Sequence, residues 1–148
     1  MVEDRLTDGV RIGQLFASEV TGDRGRLREL AVTDADPDVE PTADGALAFR
    51  LVDVAVVSAA GDDDEDDDDA IEANDGDVVA DAYVQPDRVR VEFRRAPERV
   101  ADAAGEAGLL VRPKAVRPPR TLVFLEDGAD VKRVLPALET VVEDGSET

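Results

Sequence analysis

The sequence predicts an α+β fold: a mostly antiparallel sheet of about six strands, with two or three helices packed on one face. Three observations predict it. Apolar residues alternate with period two over several short segments, most clearly in Arg88–Arg95, where Val89, Val91 and Phe93 point one way and Arg88, Arg90, Glu92 and Arg94 the other. Those segments are separated by short turns, which favour antiparallel neighbours over helical crossovers. Helical periodicity occurs only near the start, in the middle and at the end of the chain. With 148 residues and no internal repeat, one domain covering 1–148 is expected.

The elements follow in order. Thr7 and Asp8 are N-cap candidates for a helix carrying Ile12, Leu15, Phe16 and Val20, and Gly22 ends it. Arg26–Thr33 reads as a strand, and Asp34–Gly45, with Pro37 and Pro41, as a loop. Ala46–Val57 reads as a long strand. Leu47, Phe49 and Leu51 share one face of it, and Val52, Val54 and Val56 the other. The change of face near Asp53 predicts a bulge there or burial on both sides. Residues 61–76 contain eight consecutive acids, Asp62 to Asp69, which repel one another and offer almost nothing to bury. They are expected to form a flexible acidic insertion in a hairpin.

Val78–Val84 is the next strand, and Gln85, Pro86 and Asp87 turn the chain into Arg88–Arg95. Pro97 suits the first position of a helix whose inner residues are Val100, Ala103, Ala104 and Ala107, stopping at Gly108. Leu109–Arg112 is a strand, Pro113, Pro118 and Pro119 hold the chain extended, and Thr121–Glu126 is an apolar strand. Asp127 can cap a last helix with Val131, Val134, Leu135, Leu138 and Val142 inside. Pro136 would remove a hydrogen bond from it, so that helix is expected to kink or to restart near Pro136.

The composition excludes several function classes. There is no Cys and no His, so disulfides, thiolate metal sites, Cys/His or Ser/His nucleophile sets and the commonest metal ligand are all missing. No Gly-rich phosphate loop follows a strand. No segment is apolar enough to span a membrane, and the N-terminus shows no charged-then-apolar leader. Asp34, Asp36 and Asp38 have the first spacings of a calcium loop, but Val39 and Gly45 stand where such a loop needs Gly and Glu. Nothing implies a cofactor. An enzyme using carboxylates alone is the last catalytic option, and no pair among 36 acids is singled out.

The charge points to a habitat. Net charge is −19, and of 17 basic residues only Lys114 and Lys132 are lysine. Excess carboxylate keeps a protein soluble but drives the compact state apart. In roughly molar salt the Debye length falls to about 3 Å, and that repulsion is screened. A salt-adapted archaeal cytoplasm is the expected location.

The strongest candidate site is a basic island. Residues 86–120 carry nine basic and five acidic side chains, whereas the rest of the chain carries eight basic and 31 acidic. Arg88, Arg90 and Arg94 line one strand face, and Arg112, Lys114, Arg117 and Arg120 follow on the segment RPKAVRPPR. The planar guanidinium fork suits carboxylate or phosphate. Tyr83 on the neighbouring strand is a candidate stacking ring. Three readings compete: a carboxylate-rich protein partner, a nucleic acid or phosphate, and internal pairing with acids such as Asp81 across the hairpin. Phosphate contacts weaken steeply with salt, and Phe16, Phe49, Phe93 and Phe124 all fall at expected core positions, leaving little to stack on bases. RPKAVRPPR reads as a recognition arm or as a proline-stiffened connection. Lys114 has no paired acid or nucleophile that would make it a reactive amine. The expected role is therefore a non-catalytic binding module that uses the Arg-rich face to contact an anionic partner, an unknown protein or a nucleic acid.

The stretches MVEDRLTDGVRIGQLFASEV, YVQPDRVRVEFRRAPERV and VRPKAVRPPRTLVFLED resemble small, acidic, functionally uncharacterised haloarchaeal proteins. That resemblance implies habitat and transfers no site residue. The succession of elements over 78–142 is similar in outline to MmcQ/YjbR-type domains. This likeness implies nucleic acid as the alternative partner.

Overall fold

The computed structural model describes residues 8–22, 27, 30–36, 38–53, 78–117 and 119–146, the last four without their side chains. Ten elements run through them: α1 (Gly9–Gly22), β1 (Leu30–Thr33), β2 (Ala46–Asp53), β3 (Val78–Gln85), β4 (Arg88–Phe93), α2 (Pro97–Glu106), β5 (Leu110–Lys114), β6 (Arg120–Leu125), α3 (Gly128–Arg133) and α4 (Leu135–Ser146). The strands form one six-stranded sheet in the order β1-β2-β3-β4-β6-β5, every neighbouring pair antiparallel. The α+β fold read from the sequence is the fold of the described chain.

One face of the sheet makes the core. Phe49, Leu51, Ala80, Ala82, Val84, Val89, Val91, Phe93, Val123 and Leu125 present it, and α1, α2 and the broken C-terminal helix α3–α4 cover it. Ile12, Phe16 and Val20 of α1 are fully or almost fully buried there, with the Phe16 ring 5.8 Å from that of Phe49. Burial of such side chains supplies roughly 1.5–3 kcal/mol each against exposure, the main term holding the layers together. Polar contacts fix how the helices dock. Thr121 Oγ1 donates to the Pro97 carbonyl, 2.7 Å away, at the start of α2. Arg95 Nη1 reaches both Asp53 Oδ2 at 2.7 Å and the Val141 carbonyl at 3.2 Å, joining β2 to α4. At the start of α1, the Gly9 amide donates to the Pro86 carbonyl in the β3–β4 turn.

Local chemistry sets the helix ends. Ala96 precedes α2 at φ 52°, with Pro97 next, and Gly108 follows the helix at φ 90°. Asp127 Oδ1 accepts the Asp130 amide at 3.0 Å, while Asp130 Oδ2 accepts the Glu126 amide at 2.9 Å, a reciprocal cap at the start of α3. The helix breaks at Val134, and Pro136 occupies the second position of α4, where its missing N–H costs nothing. The restart near Pro136 is thus present.

Several sequence boundaries change. The first described strand begins at Leu30, whose amide closes a turn onto Leu27, while Arg26, Arg28 and Glu29 lie outside the described residues. β4 ends at Phe93, and β5 runs on through Pro113 to Lys114. The phase of β2 also differs from the simple alternation. Between Leu47 and Phe49 the register slips on β2, and between Leu51 and Val52 it slips back on β3. Ala48 and Phe49 therefore both enter the core, as do Val79 and Ala80, whereas Leu47 sits opposite Tyr83 on the other face. The acidic run at 61–76 and Thr7 lie outside the described residues, as do Val54 and Val56. No described helix is long and apolar enough to cross a membrane.

Candidate cationic face

Among the described residues, no helix covers the second face of the sheet. Register places its side chains in rows. One row runs Thr33, Arg50, Asp81, Glu92, Leu122, Arg112, and the next Leu47, Tyr83, Arg90, Phe124, Leu110. Lys114 and Arg120 are paired beyond the first row. The alternation of β4 that sends Val89, Val91 and Phe93 into the core is what brings Arg88, Arg90 and Glu92 here.

Two carboxylates anchor this face, and both are buried: Asp81 is 0% exposed and Glu92 3%. Asp81 accepts from Arg50 Nε at 2.9 Å and from Arg94 through Nε at 2.8 Å and Nη2 at 3.1 Å, with Arg120 Nη1 at 3.7 Å. Glu92 accepts from Arg90 Nε at 3.0 Å on one oxygen, and from Lys114 Nζ at 3.2 Å and Arg120 Nη1 at 3.0 Å on the other. Five cations thus surround two carboxylates, and Arg120 bridges them. Burial by itself would raise the Glu92 carboxyl, but hydrogen bonds from Lys114 and Arg120 outweigh it and hold the group below the usual range. Burial would likewise lower the Arg50 guanidinium, and the Asp81 carboxylate reverses this and raises it. Burial and the nearby charges of Asp81 and Glu92 push the Tyr83 phenol up, so it stays neutral. No buried side-chain nitrogen or oxygen among the described residues lacks a hydrogen-bond partner.

The predicted site residues divide into two groups. Arg88, Arg90, Arg94, Lys114 and Arg120 are half-buried and internally paired. Arg88 donates to Gln85 Oε1 at 3.0 Å, lies 3.5 Å from Glu126 and stacks 4.4 Å above the Phe124 ring. Arg90 stacks 4.6 Å above Tyr83 and donates to the Asp44 carbonyl at 2.8 Å. Tyr83 is thus a stacking ring, as expected, but its occupant is Arg90. Arg112 and Arg117 are exposed on β5 and in the β5–β6 connection, with no ion pair among the described residues. Beside them stand Leu110 and Val116, 38% and 40% exposed. Phe124 is buried, yet beneath Arg88 on this face and outside the helix-covered core.

Sequence reasoning missed Arg50 and the anchoring role of Glu92. Arg50 lies far outside the basic island, and only strand pairing brings it to Asp81. Glu92 was legible in principle, since alternation sets it among three arginines. No group of three or more metal-ligating side chains occurs among the described residues.

The geometry defines a class: an antiparallel sheet with helices on one face and an ion-paired, cation-rich layer on the other. The chain belongs to a family of unknown function, DUF7993, whose model matches residues 1–148. No curated protein and no solved structure matches it.

Proposed function

We propose that this chain is a non-catalytic, single-domain binding module that contacts an anionic partner through the open sheet face. The observation that carries this reading is the cation excess there: five cations around two buried carboxylates, with exposed Asp34 3.5 Å from Arg50 as a third, flanked by exposed Arg112 and Arg117. Arg88, Arg90, Arg94 and Arg120 form the floor of the face, with most of their donors engaged inside it. Arg112, Arg117 and the outer side of Lys114 make the contact with the partner's carboxylates or phosphates. Exposed Leu110 and Val116 beside them favour a protein over a nucleic acid, because apolar contact persists in salt that screens charge. The downward shift of Glu92 is the opposite of what a general acid needs, which counts against that role for this residue. The acid-rich, lysine-poor composition supports a salt-adapted archaeal cytoplasm as the setting.

The test is co-purification of tagged protein from its native cytoplasm at molar KCl, with and without nuclease. The reference is the double variant Arg112→Ala/Arg117→Ala, which leaves the ion-paired floor intact. A defined protein partner that resists nuclease and is lost in the variant supports the reading. Nucleic acid that survives washing and is lost in the variant transfers the face to the alternative that the MmcQ/YjbR-like outline raises. Identical eluates from both forms overturn the reading and leave the face as scaffolding.

A further inference from the structure

A second feature lies on the helix-covered side of the molecule, away from the cationic face. Between α1 and the 34–45 loop is a cavity of about 250 Å³, open to solvent at one side. Ala48, Phe49 and Val84, all buried, form its floor. Gly13 and Ala17 on α1 and Ala35 on the loop line it beside the larger Val10, Gln14 and Val39. At the three small positions no side chain reaches across the gap, so space stays open although the core beneath is close-packed. Its volume exceeds that of an apolar cavity known to accept benzene, about 150 Å³.

The loop wall is pinned in place. The Asp36 amide donates to the Ala48 carbonyl at 2.8 Å, and the Thr42 amide to the Val84 carbonyl at 3.4 Å. Asp36 Oδ1 accepts the Asp38 amide at 3.0 Å, which fixes the orientation of the carboxylate. The other Asp36 oxygen makes no hydrogen bond among the described residues, and Asp36 and Gln14, both exposed, are among the residues that line the cavity. Among the described residues no Arg or Lys lines the cavity, and the loop also carries Asp34, Asp38, Glu40 and Asp44. An apolar, pre-formed cleft with one oriented carboxylate in its lining selects a molecule with an apolar body and a positive end.

We propose that this cavity binds a small organic cation, an amine whose aromatic or branched body lies on Phe49 and whose ammonium meets Asp36. The probes are benzylamine, benzyl alcohol and benzoate, which share a ring and differ in charge. Their binding to the full chain is followed by ligand-observed NMR, at the lowest KCl concentration that keeps the protein folded. Benzylamine is expected to bind more tightly than benzyl alcohol by at most about five-fold, the unscreened effect of one solvent-facing ion pair, with the margin shrinking as KCl rises and with benzoate weakest. Asp36→Asn keeps an oxygen for the Asp38 amide and should bring benzylamine level with benzyl alcohol. Ala17→Leu and, on the opposite wall, Ala35→Leu fill the space from half-buried and exposed positions. Each should abolish binding of all three probes while the circular dichroism spectrum stays unchanged. Failure of every probe to bind the wild type overturns the proposal, as does benzoate binding as tightly as benzylamine. Undiminished binding in both filled variants overturns it as well, by placing the probes elsewhere.

Discussion

The ion-paired layer makes a sharp prediction about Asp81. Asp81→Asn preserves shape, removes the charge and turns one acceptor oxygen into a donor. In the native protein the carboxylate takes three guanidinium hydrogen bonds of 2.8–3.1 Å from Arg50 and Arg94, with Arg120 close by. A hydrogen bond to a charged group contributes about 1.5–3 kcal/mol net, and removing one side of a buried pair costs about 3–5 kcal/mol. The guanidinium side chains remain 19–34% exposed and can regain water, which draws the expected loss to the low end, roughly 3 kcal/mol. That is a large share of the stability of a domain, about 5–15 kcal/mol. The assay is equilibrium unfolding in urea, a neutral denaturant, followed by circular dichroism at about 1 M and about 3 M KCl. Buried pairs are little screened, so the loss should be the same at both salt concentrations. A loss below about 1 kcal/mol, or one that disappears at the higher salt, would mean that the pairs behave as surface ion pairs and would refute the reasoning.

The remaining predictions concern pH, packing and salt. Glu92 has a depressed folded-state pKa, so its contribution is fully present above the ordinary glutamate value of about 4.3 and is lost as pH falls through the lower folded value. Urea titrations on either side of that window should show a steeper acid loss in wild type than in Glu92→Gln. A Cβ at Gly9 would lie 1.8 Å from the Gln85 carbonyl oxygen, whereas one at Gly13 would approach nothing nearer than 3.4 Å. Gly9→Ala should therefore cost more than about 2 kcal/mol, and Gly13→Ala should be neutral or stabilising by up to about 1 kcal/mol, as melting temperatures will show. Transfer from molar to about 50 mM KCl should expand or unfold the chain through carboxylate repulsion. A cooperative, fully folded protein in low salt would remove the support for a saline habitat.

Why some features were legible and others were not follows from range. Period-two alternation is local, so β4 and its two faces could be read directly, as could the Asp127 cap and the restart at Pro136. The neighbour of each strand is not local. Arg50 meets Asp81 through pairing across 31 positions, and Arg120 reaches Glu92 across 28. The basic island therefore showed as a run of charge, while its division into paired floor and free edge depended on which acids the sheet would bring beneath it. The cavity was invisible for a related reason. It arises where small residues from α1, β2 and the loop face one another, and each is unremarkable on its own strand or helix.

The two register slips between β2 and β3 have a further consequence for how this chain can change length. They lie on different strands, before and after the Phe49–Leu51 stretch, so the second cancels the first. Only within that window does Arg50 share a face with Asp81. Deleting Ala48 alone would restore plain alternation and swing Leu47 and everything before it across the sheet, or else drive Arg50 into the helix-covered side. A single-residue deletion here is thus a change of phase more than a loss of contact. Only paired deletions, one on each strand, would leave the sheet in step with itself.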